Sequence, residues 1–299
     1  MNDSFRSGYV AIIGEPNVGK STLMNAILGQ KISIVSSKPQ TTRHVILGIL
    51  TGDGHQVVFL DTPGILKPKY RLHEAMMSSA NSAVADADVI VFMVDAAAPV
   101  RERQHDLVLD ALKRAGKPVF LLINKIDLVA KQQILPLIAG LSVAFPFEEI
   151  FPVSALTLDG VADLVASLVS RLPVHPAYYP LDLISEHSER FLVSERIREK
   201  IFEKFKEEIP YSTAVDIVEF REREGRKDVI NAEIYVERES QKGILIGERG
   251  RALKEIGELA RRDIEEFLGR PVFLELHVKV REKWREKDQW LKRLGYKHA

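Results

Sequence analysis

The chain has 299 residues, 42 Lys and Arg against 42 Asp and Glu, 45% hydrophobic and 28% charged side chains, and no cysteine. Length gives room for two domains of about 150 residues each, and the composition excludes a disordered or collagen-like chain. Without cysteine, neither a disulfide framework nor a thiolate zinc site is available, which fits a reducing cytosol.

The first expected strand, Tyr9–Ile13, runs into Gly14-Glu15-Pro16-Asn17-Val18-Gly19-Lys20-Ser21-Thr22 and then a helix over Lys20–Leu28. This is G-x-x-x-x-G-K-S between strand and helix, the phosphate-loop pattern in its required setting. Gly14 and Gly19 let the backbone wrap phosphates with its N–H groups inward, and the helix adds its positive dipole end. Lys20 would reach the outer phosphates and the Ser21 hydroxyl would ligate Mg²⁺. His44–Leu50 and Val57–Leu60, joined by residues 51–55, read as an antiparallel hairpin. Its second strand ends in Asp61-Thr62-Pro63-Gly64, where the carboxylate can hold Mg²⁺ through water and the Gly64 amide can meet a γ-phosphate.

Three more strands are expected at Val89–Val94, Val119–Ile123 and Ile150–Val153, with helices at Glu102–Arg114 and Val161–Arg171. Apolar strands alternating with helices predict an α/β domain, a mostly parallel sheet with helices on both faces, and ligands beyond the strands' carboxyl ends. The strand Val119–Ile123 is followed by Asn124-Lys125-Ile126-Asp127 and the last strand by Ser154-Ala155-Leu156. A carboxylate at Asp127 can accept both the ring N–H and the exocyclic amine of guanine, a pattern adenine lacks. The Ala155 amide is expected near the guanine carbonyl oxygen.

Prolines at 173, 176 and 180 mark a stiff connector, placed at 173–182, between a nucleotide domain (1–172) and a second domain (183–299). Neutrality hides a contrast here. Residues 1–180 hold 16 basic and 16 acidic side chains, the shorter remainder 26 of each, and 238–299 hold 16 basic against 11 acidic. The second domain is expected to run helix–strand–strand–helix–helix–strand. Its first helix carries Val193, Ile197, Ile201 and Phe205 at every fourth position, with charges on the other faces. Strands follow at Thr213–Arg223, Val229–Arg238 and Val272–Val280, and a final helix from about Arg281. Between two helices lies Lys242-Gly243-Ile244-Leu245-Ile246-Gly247-Glu248-Arg249-Gly250, a G-x-x-G loop whose glycines admit a sugar-phosphate backbone and whose Arg249 adds charge. KH domains clamp about four single-stranded nucleotides in this way. Phe273 and His277 lie off the apolar side of their strand, where each can stack on bases. A basic stripe of Lys279, Arg281, Lys283, Arg285, Lys287, Lys292, Arg293 and Lys297 would neutralise phosphates.

Taken together these motifs resemble the translation-factor-related GTPases, and the whole chain resembles the Era family of bacterial GTPases, whose second domain is a type II KH fold. The resemblance implies GTP/GDP and Mg²⁺ as ligands, Asn124 and Asp127 at guanine, and Thr42, chosen over Thr41 by alignment, at Mg²⁺ and the γ-phosphate. It also implies 16S ribosomal RNA near its 3′ end and the 30S subunit as partners, a monomer, and a cytoplasmic location with peripheral contact at the inner membrane. Two departures bear on catalysis. Ile65 and Leu66 stand where many small GTPases place a water-positioning glutamine, so slow intrinsic hydrolysis is expected. Asn17 is the residue that helps hold K⁺ against the phosphates in relatives, so K⁺-stimulated hydrolysis is expected. The alternatives are a nucleotide-sensing scaffold whose second domain binds protein, and a tRNA-directed GTPase. The second domain carries no visible catalytic constellation for the latter, only scattered His187, His277 and His298. No run of 18 apolar residues predicts a membrane span, and Met1–Ser7 lacks the apolar core of a signal peptide.

Overall fold

The computed structural model of the chain describes residues 5–98 and 102–296, the side chains of 102–105 excepted. Lys297 of the expected basic stripe, and His298, lie outside the described residues. The chain divides into two compact units, the first reaching Glu186 and the second beginning at His187.

In the first unit β1 (Arg6–Gly14), α1 (Lys20–Leu28), β2 (Ile46–Gly52), β3 (His55–Asp61), α2 (Arg71–Asp86), β4 (Val89–Asp95), α3 (Glu102–Ala115), β5 (Val119–Asn124), α4 (Lys131–Ala144), β6 (Glu149–Pro152) and α5 (Val161–Arg171) follow in order. The sheet order is β2-β3-β1-β4-β5-β6, parallel throughout except for β2 against β3. Val10–Ile13 and the whole of β5 are buried, as strands covered on both faces must be. The hairpin is tighter than expected. Gly52 pairs with His55, so only Asp53-Gly54 forms the turn, and Gly54 supplies the positive φ of +72° that such a turn needs.

The proline-rich segment is not a free spacer. The buried Gln56 accepts from the backbone N–H groups of Tyr178 and Tyr179 and donates to the Tyr179 carbonyl. Beyond it, Ile49 N donates to Ile184 O at 2.7 Å and Ser185 Oγ to Leu47 O at 2.6 Å. Edge strand β2 leaves backbone groups unpaired on its outer side, and the chain after the prolines satisfies them. The first unit therefore reaches past the boundary expected at 182.

The second unit contains α6 (Glu189–Lys204), α7 (Glu208–Ser212), β7 (Ala214–Arg221), β8 (Asp228–Val236), α8 (Glu239–Ile246), α9 (Arg251–Leu268), β9 (Val272–Val280) and α10 (Asp288–Arg293). Central β8 is antiparallel to β7 and parallel to β9. Its Ile230, Ala232, Ile234 and Val236 form a core with Val193, Ile197 and Ile201 of α6 and Ile256, Ala260 and Ile264 of α9. Charged residues on α6 are not all at the surface, as its periodicity suggested. Arg198 is buried against Glu195, Lys200 lies 2.7 Å from Asp263, and the Arg196 guanidinium sits 3.8 Å over the Phe267 ring. The helix expected from Arg281 begins only at Asp288. Trp284 is fully buried and its indole N–H donates to Ser212 O, while Lys283 takes φ +51°, and this anchor breaks any continuous helix.

Candidate functional sites

The phosphate loop is held by close backbone approaches. A Cβ on Gly14 would fall 2.3 Å from the Met93 carbonyl, and one on Gly19 2.3 Å from Asn124 Nδ2; both glycines have positive φ. Lys20 opens α1 with its side chain buried, donating to the Gly14 and Glu15 carbonyls at 3.3 and 2.9 Å. Burial pushes its pKa down to about 8, against the pull of the Asp61 and Glu15 carboxylates.

Three oxygens meet beside it. Ser21 Oγ lies 2.9 Å from Thr42 Oγ1 and donates to Asp61 Oδ2 at 2.7 Å. Thr41 instead donates to Lys38 O, so the Thr42 hydroxyl is the one at this cluster. Burial pushes the Asp61 pKa up, opposed by Lys20 and by hydrogen bonds from Ser21 and Ser33. Asp61 Oδ1 is buried with no hydrogen-bond partner. A hydroxyl–hydroxyl–carboxylate set with an unsatisfied buried oxygen fits Mg²⁺, which takes few protein ligands and completes its shell with phosphate and water. Ser33 was not read from the sequence. It donates to Asp61 Oδ2 at 3.0 Å, and Asn25 fixes its own backbone N–H and carbonyl. A single serine in a loop outside any motif gives no pattern to find.

The loop after Asp61 closes on the phosphate loop. Thr62 Oγ1 donates to Ile12 O, Ile65 N donates to Gly14 O, and a Cβ on Gly64 would meet Pro16 N at 2.7 Å. Pro63 joins them. A cavity of about 450 Å³ opens here, walled by the phosphate loop, residues 34–37 and 40–42, Thr22, Gly64 and Lys125. Asn17, at φ +66°, donates from its side chain to Ser37 O at 2.8 Å.

On the base side, Asn124 is nearly inaccessible and joins two loops, donating to Val18 O and accepting from Ala155 N at 2.9 Å. The Ala155 amide, expected at the guanine oxygen, is thus bonded to Asn124, because a buried carboxamide oxygen requires a donor. Lys125 Nζ donates to Asn17 O and pairs with Asp95, a residue the sequence reading missed, at 2.6 Å. Asp127 is exposed in a short 3₁₀ turn (Ile126–Leu128), Ser154 Oγ accepts from Thr157 N, and Leu156 is 78% exposed.

In the second unit the G-x-x-G loop joins α8 to α9. Gly247 and Gly250 have φ of +71° and +78°, and Arg249 between them is also left-handed at +50°. Glu248 and Arg249 are exposed. Lys242 and Gly243 lie one turn earlier in α8, and Ile246 packs against the core. A groove of about 400 Å³ runs from Gly250 between α9 and β9, past Leu253, Gly257, Arg261, Leu274 and Leu276. Apart from Gly250, these groove residues were not read from the sequence as binding residues, although Gly250, Leu253, Gly257 and Arg261 recur on one helix face. Phe273, Lys279 and Arg281 do not line the groove. Strand alternation puts Phe273 and Lys279 on the opposite face from Leu274 and Leu276, Lys279 pairs with Glu233, and Arg281 stacks on Trp290. Arg285 and Arg293 likewise pair with Glu237 and Asp216, so three of the seven described members of the expected basic stripe have carboxylate partners within the unit.

Residues 9–125 match the family model for 50S ribosome-binding GTPases and residues 208–285 the model for KH domains. The chain is 52% identical over 292 residues to GTPase Era of Geotalea uraniireducens, covering 98% of each, and 50% identical over 298 residues to GTPase Era of Geobacter metallireducens, covering 99% of this chain and all of that one. Among solved structures it is similar to Era in complex with MgGDPNP and nucleotides 1506–1542 of 16S ribosomal RNA, at 42% identity and a TM-score of 0.95. A substituted Era of Aquifex aeolicus bound to GDP and AlF₄⁻ gives 42% and 0.94. Each alignment covers 98% of this chain and 100% of the other.

Proposed function

The chain belongs to the Era family of GTPases, and on that footing we propose that it is a GTP-hydrolysing switch that binds the 3′ segment of 16S ribosomal RNA during 30S subunit assembly. The observation that carries the reading is the cluster of Ser21, Thr42 and Asp61 oxygens beside buried Lys20. Bound Mg²⁺ supplies charge neutralisation at the phosphates there, held by Ser21, Thr42 and Asp61. Lys20 exchanges its two carbonyl partners for phosphate oxygens. Thr42 ties residues 32–43 to the γ-phosphate end, and loss of that phosphate on hydrolysis releases the segment. Asp127 reads guanine, and Asn124 fixes the base loops against the phosphate loop.

The RNA would run over the G-x-x-G loop into the α9–β9 groove, where two glycines admit the backbone and Leu253, Leu274 and Leu276 provide an apolar floor. The relative solved with 16S RNA supports this choice of partner. A monomer is proposed. Contact with the inner membrane rests on family resemblance alone; no helix among the described residues is long and apolar enough to cross a membrane. K⁺ stimulation is proposed from Asn17, whose amide is spent on Ser37 and whose carbonyl oxygen remains as the cation ligand. Equal turnover in K⁺ and Na⁺ at matched ionic strength would sink the K⁺ reading. Crosslinking to RNA in cells, with and without Gly250→Asp, tests the whole. Gly250 has positive φ and open space around it, so the change alters the loop and its charge without a core clash. Loss of a 16S 3′-end peak is expected; an unchanged peak rejects the clamp.

A further inference from the structure

The reaction requires a water held in line with the bond between the γ-phosphorus and its bridging oxygen. Ile65 and Leu66 supply no group for this, and Ile65 is packed against the core. The γ-phosphate end of the cavity is marked by Lys20, Thr42 and Gly64, and the same wall contains Gln40. Its other carboxamide, Asn17, is tied to Ser37.

Gln40 is held in an unusual way. Its backbone takes φ +62°, a left-handed conformation that non-glycine residues seldom adopt and that persists where the surroundings over-determine it. The turn beneath it is fixed by Thr41 Oγ1 donating to Lys38 O at 2.8 Å and by Lys38 N donating to Ser36 Oγ at 3.1 Å. Its side-chain Oε1 lies 3.0 Å from Nε2 of His73, a buried residue of α2, the helix that follows the Asp61–Gly64 loop. Thus both ends of the Gln40 side chain are set from within the site: the backbone by the loop that carries Thr42, the tip by α2.

We propose that Gln40 positions the attacking water in this chain and that His73 is the positioning residue that orients it; the proposal rests on the GTPase reading above. Gln40 Oε1 accepts from the His73 N–H and from the water, directing a water lone pair at the γ-phosphorus. The water oxygen forms its bond to phosphorus as the bond to the β–γ bridging oxygen breaks. That electron pair stays on the GDP β-phosphate, and a water proton passes to a γ-phosphate oxygen, giving GDP and dihydrogen phosphate. Gln40 exchanges no proton; its contribution is orientation.

The test compares the full-length chain with Gln40→Ala, His73→Phe and His73→Gln. Turnover is measured alongside two binding readouts, affinity for a fluorescent non-hydrolysable GTP analogue and the AlF₄⁻-dependent fluorescence change of a fluorescent GDP. For Gln40→Ala the expected result is a roughly 10- to 100-fold loss in kcat, with KM and analogue affinity within about twofold and the AlF₄⁻ response lost. His73→Phe should lose kcat in the same sense, and His73→Gln, which keeps an N–H donor toward Gln40, should restore most of it. Turnover that survives Gln40→Ala, or a fall in analogue affinity as large as the fall in kcat, overturns this proposal alone. A wild-type chain without turnover overturns the GTPase reading and this proposal with it.

Discussion

Replacing Lys20 by methionine should make the protein more stable without nucleotide and useless with it. The Lys20 ammonium is buried, and burial takes its pKa from the ordinary 10.5 down to about 8. That difference corresponds to roughly 3 kcal/mol of penalty on the charged form. The sign follows from which state binds the proton more tightly. Below pH 8 Lys20 is charged in both folded and unfolded chains, so the folded state bears the whole penalty. Between pH 8 and 10.5 the folded state sheds its proton first and the penalty fades. Methionine removes it at every pH but also leaves the Gly14 and Glu15 carbonyls without their donor, about 1–2 kcal/mol. The net gain is about 1–2 kcal/mol at pH 7, and it vanishes near pH 10. Both tryptophans, Trp284 and Trp290, lie in the second unit. Hydrogen exchange of peptides from β1 and α1 is therefore the appropriate assay. With saturating GDP and Mg²⁺ the order should reverse, since ligand at about 1,000 times its dissociation constant adds roughly 4 kcal/mol to the wild type. A Lys20→Met protein no more stable at pH 7 than the wild type, or a difference that does not shrink by pH 10, refutes the reasoning.

Asn124→Ala removes a carboxamide that satisfies Val18 O and Ala155 N, both inside the unit, and should cost about 2–4 kcal/mol. Exchange protection in the peptides containing those two residues reads it, and a loss under about 1 kcal/mol contradicts the bridging role. Gly19→Ala places a methyl 2.3 Å from Asn124 Nδ2 at a φ of +105°, so GDP affinity by calorimetry should fall by about tenfold or more; affinity unchanged from the wild type argues that the loop can shift freely. Glu195→Ala leaves the buried Arg198 guanidinium without its closest carboxylate and should lower the second unit's stability by about 3 kcal/mol, followed by tryptophan fluorescence in urea. Glu195→Met with Arg198→Met should recover most of that, and a double variant as unstable as the single one removes the charge from the explanation.

The legible parts of the molecule were those where chemistry is contiguous in the chain. The phosphate loop, the Asp61 loop and the Asn124 loop each sit at the end of an apolar strand, and the bounds of α1, α5 and β9 agree with the residue pattern because each is a single periodic run. What the sequence hid is long-range. Ser33 reaches Asp61 across 28 residues and His73 reaches Gln40 across 33, and Ser33, Gln40 and His73 are ordinary loop and helix residues that carry no motif. Periodicity puts charge at the surface, yet Arg198 and Lys200 are buried beside carboxylates, a pairing visible only in three dimensions. Prolines signal a break in hydrogen bonding, and they concealed that the residues around them pair with an unsatisfied sheet edge.

Backbone strain separates the two sites by how each is prepared for its ligand. Asn17, Gln40 and Lys125 all hold left-handed backbones around the nucleotide cavity, and each is braced by a side-chain hydrogen bond to another part of the same unit. Such conformations cost on the order of 1 kcal/mol apiece, and the bracing bonds offset that cost before any ligand arrives. GTP therefore meets a wall already shaped, and most of its binding energy is available for the phosphates and the base. Arg249 is also left-handed, but it sits exposed between two glycines that tolerate many conformations. A clamp of that kind is ordered partly by its ligand, so its affinity depends on the groove behind it. On the proposed function, specificity for RNA is therefore expected with Leu253, Leu274, Leu276 and Arg261, which are carried on α9 and β9, rather than with the loop that marks the fold in the sequence.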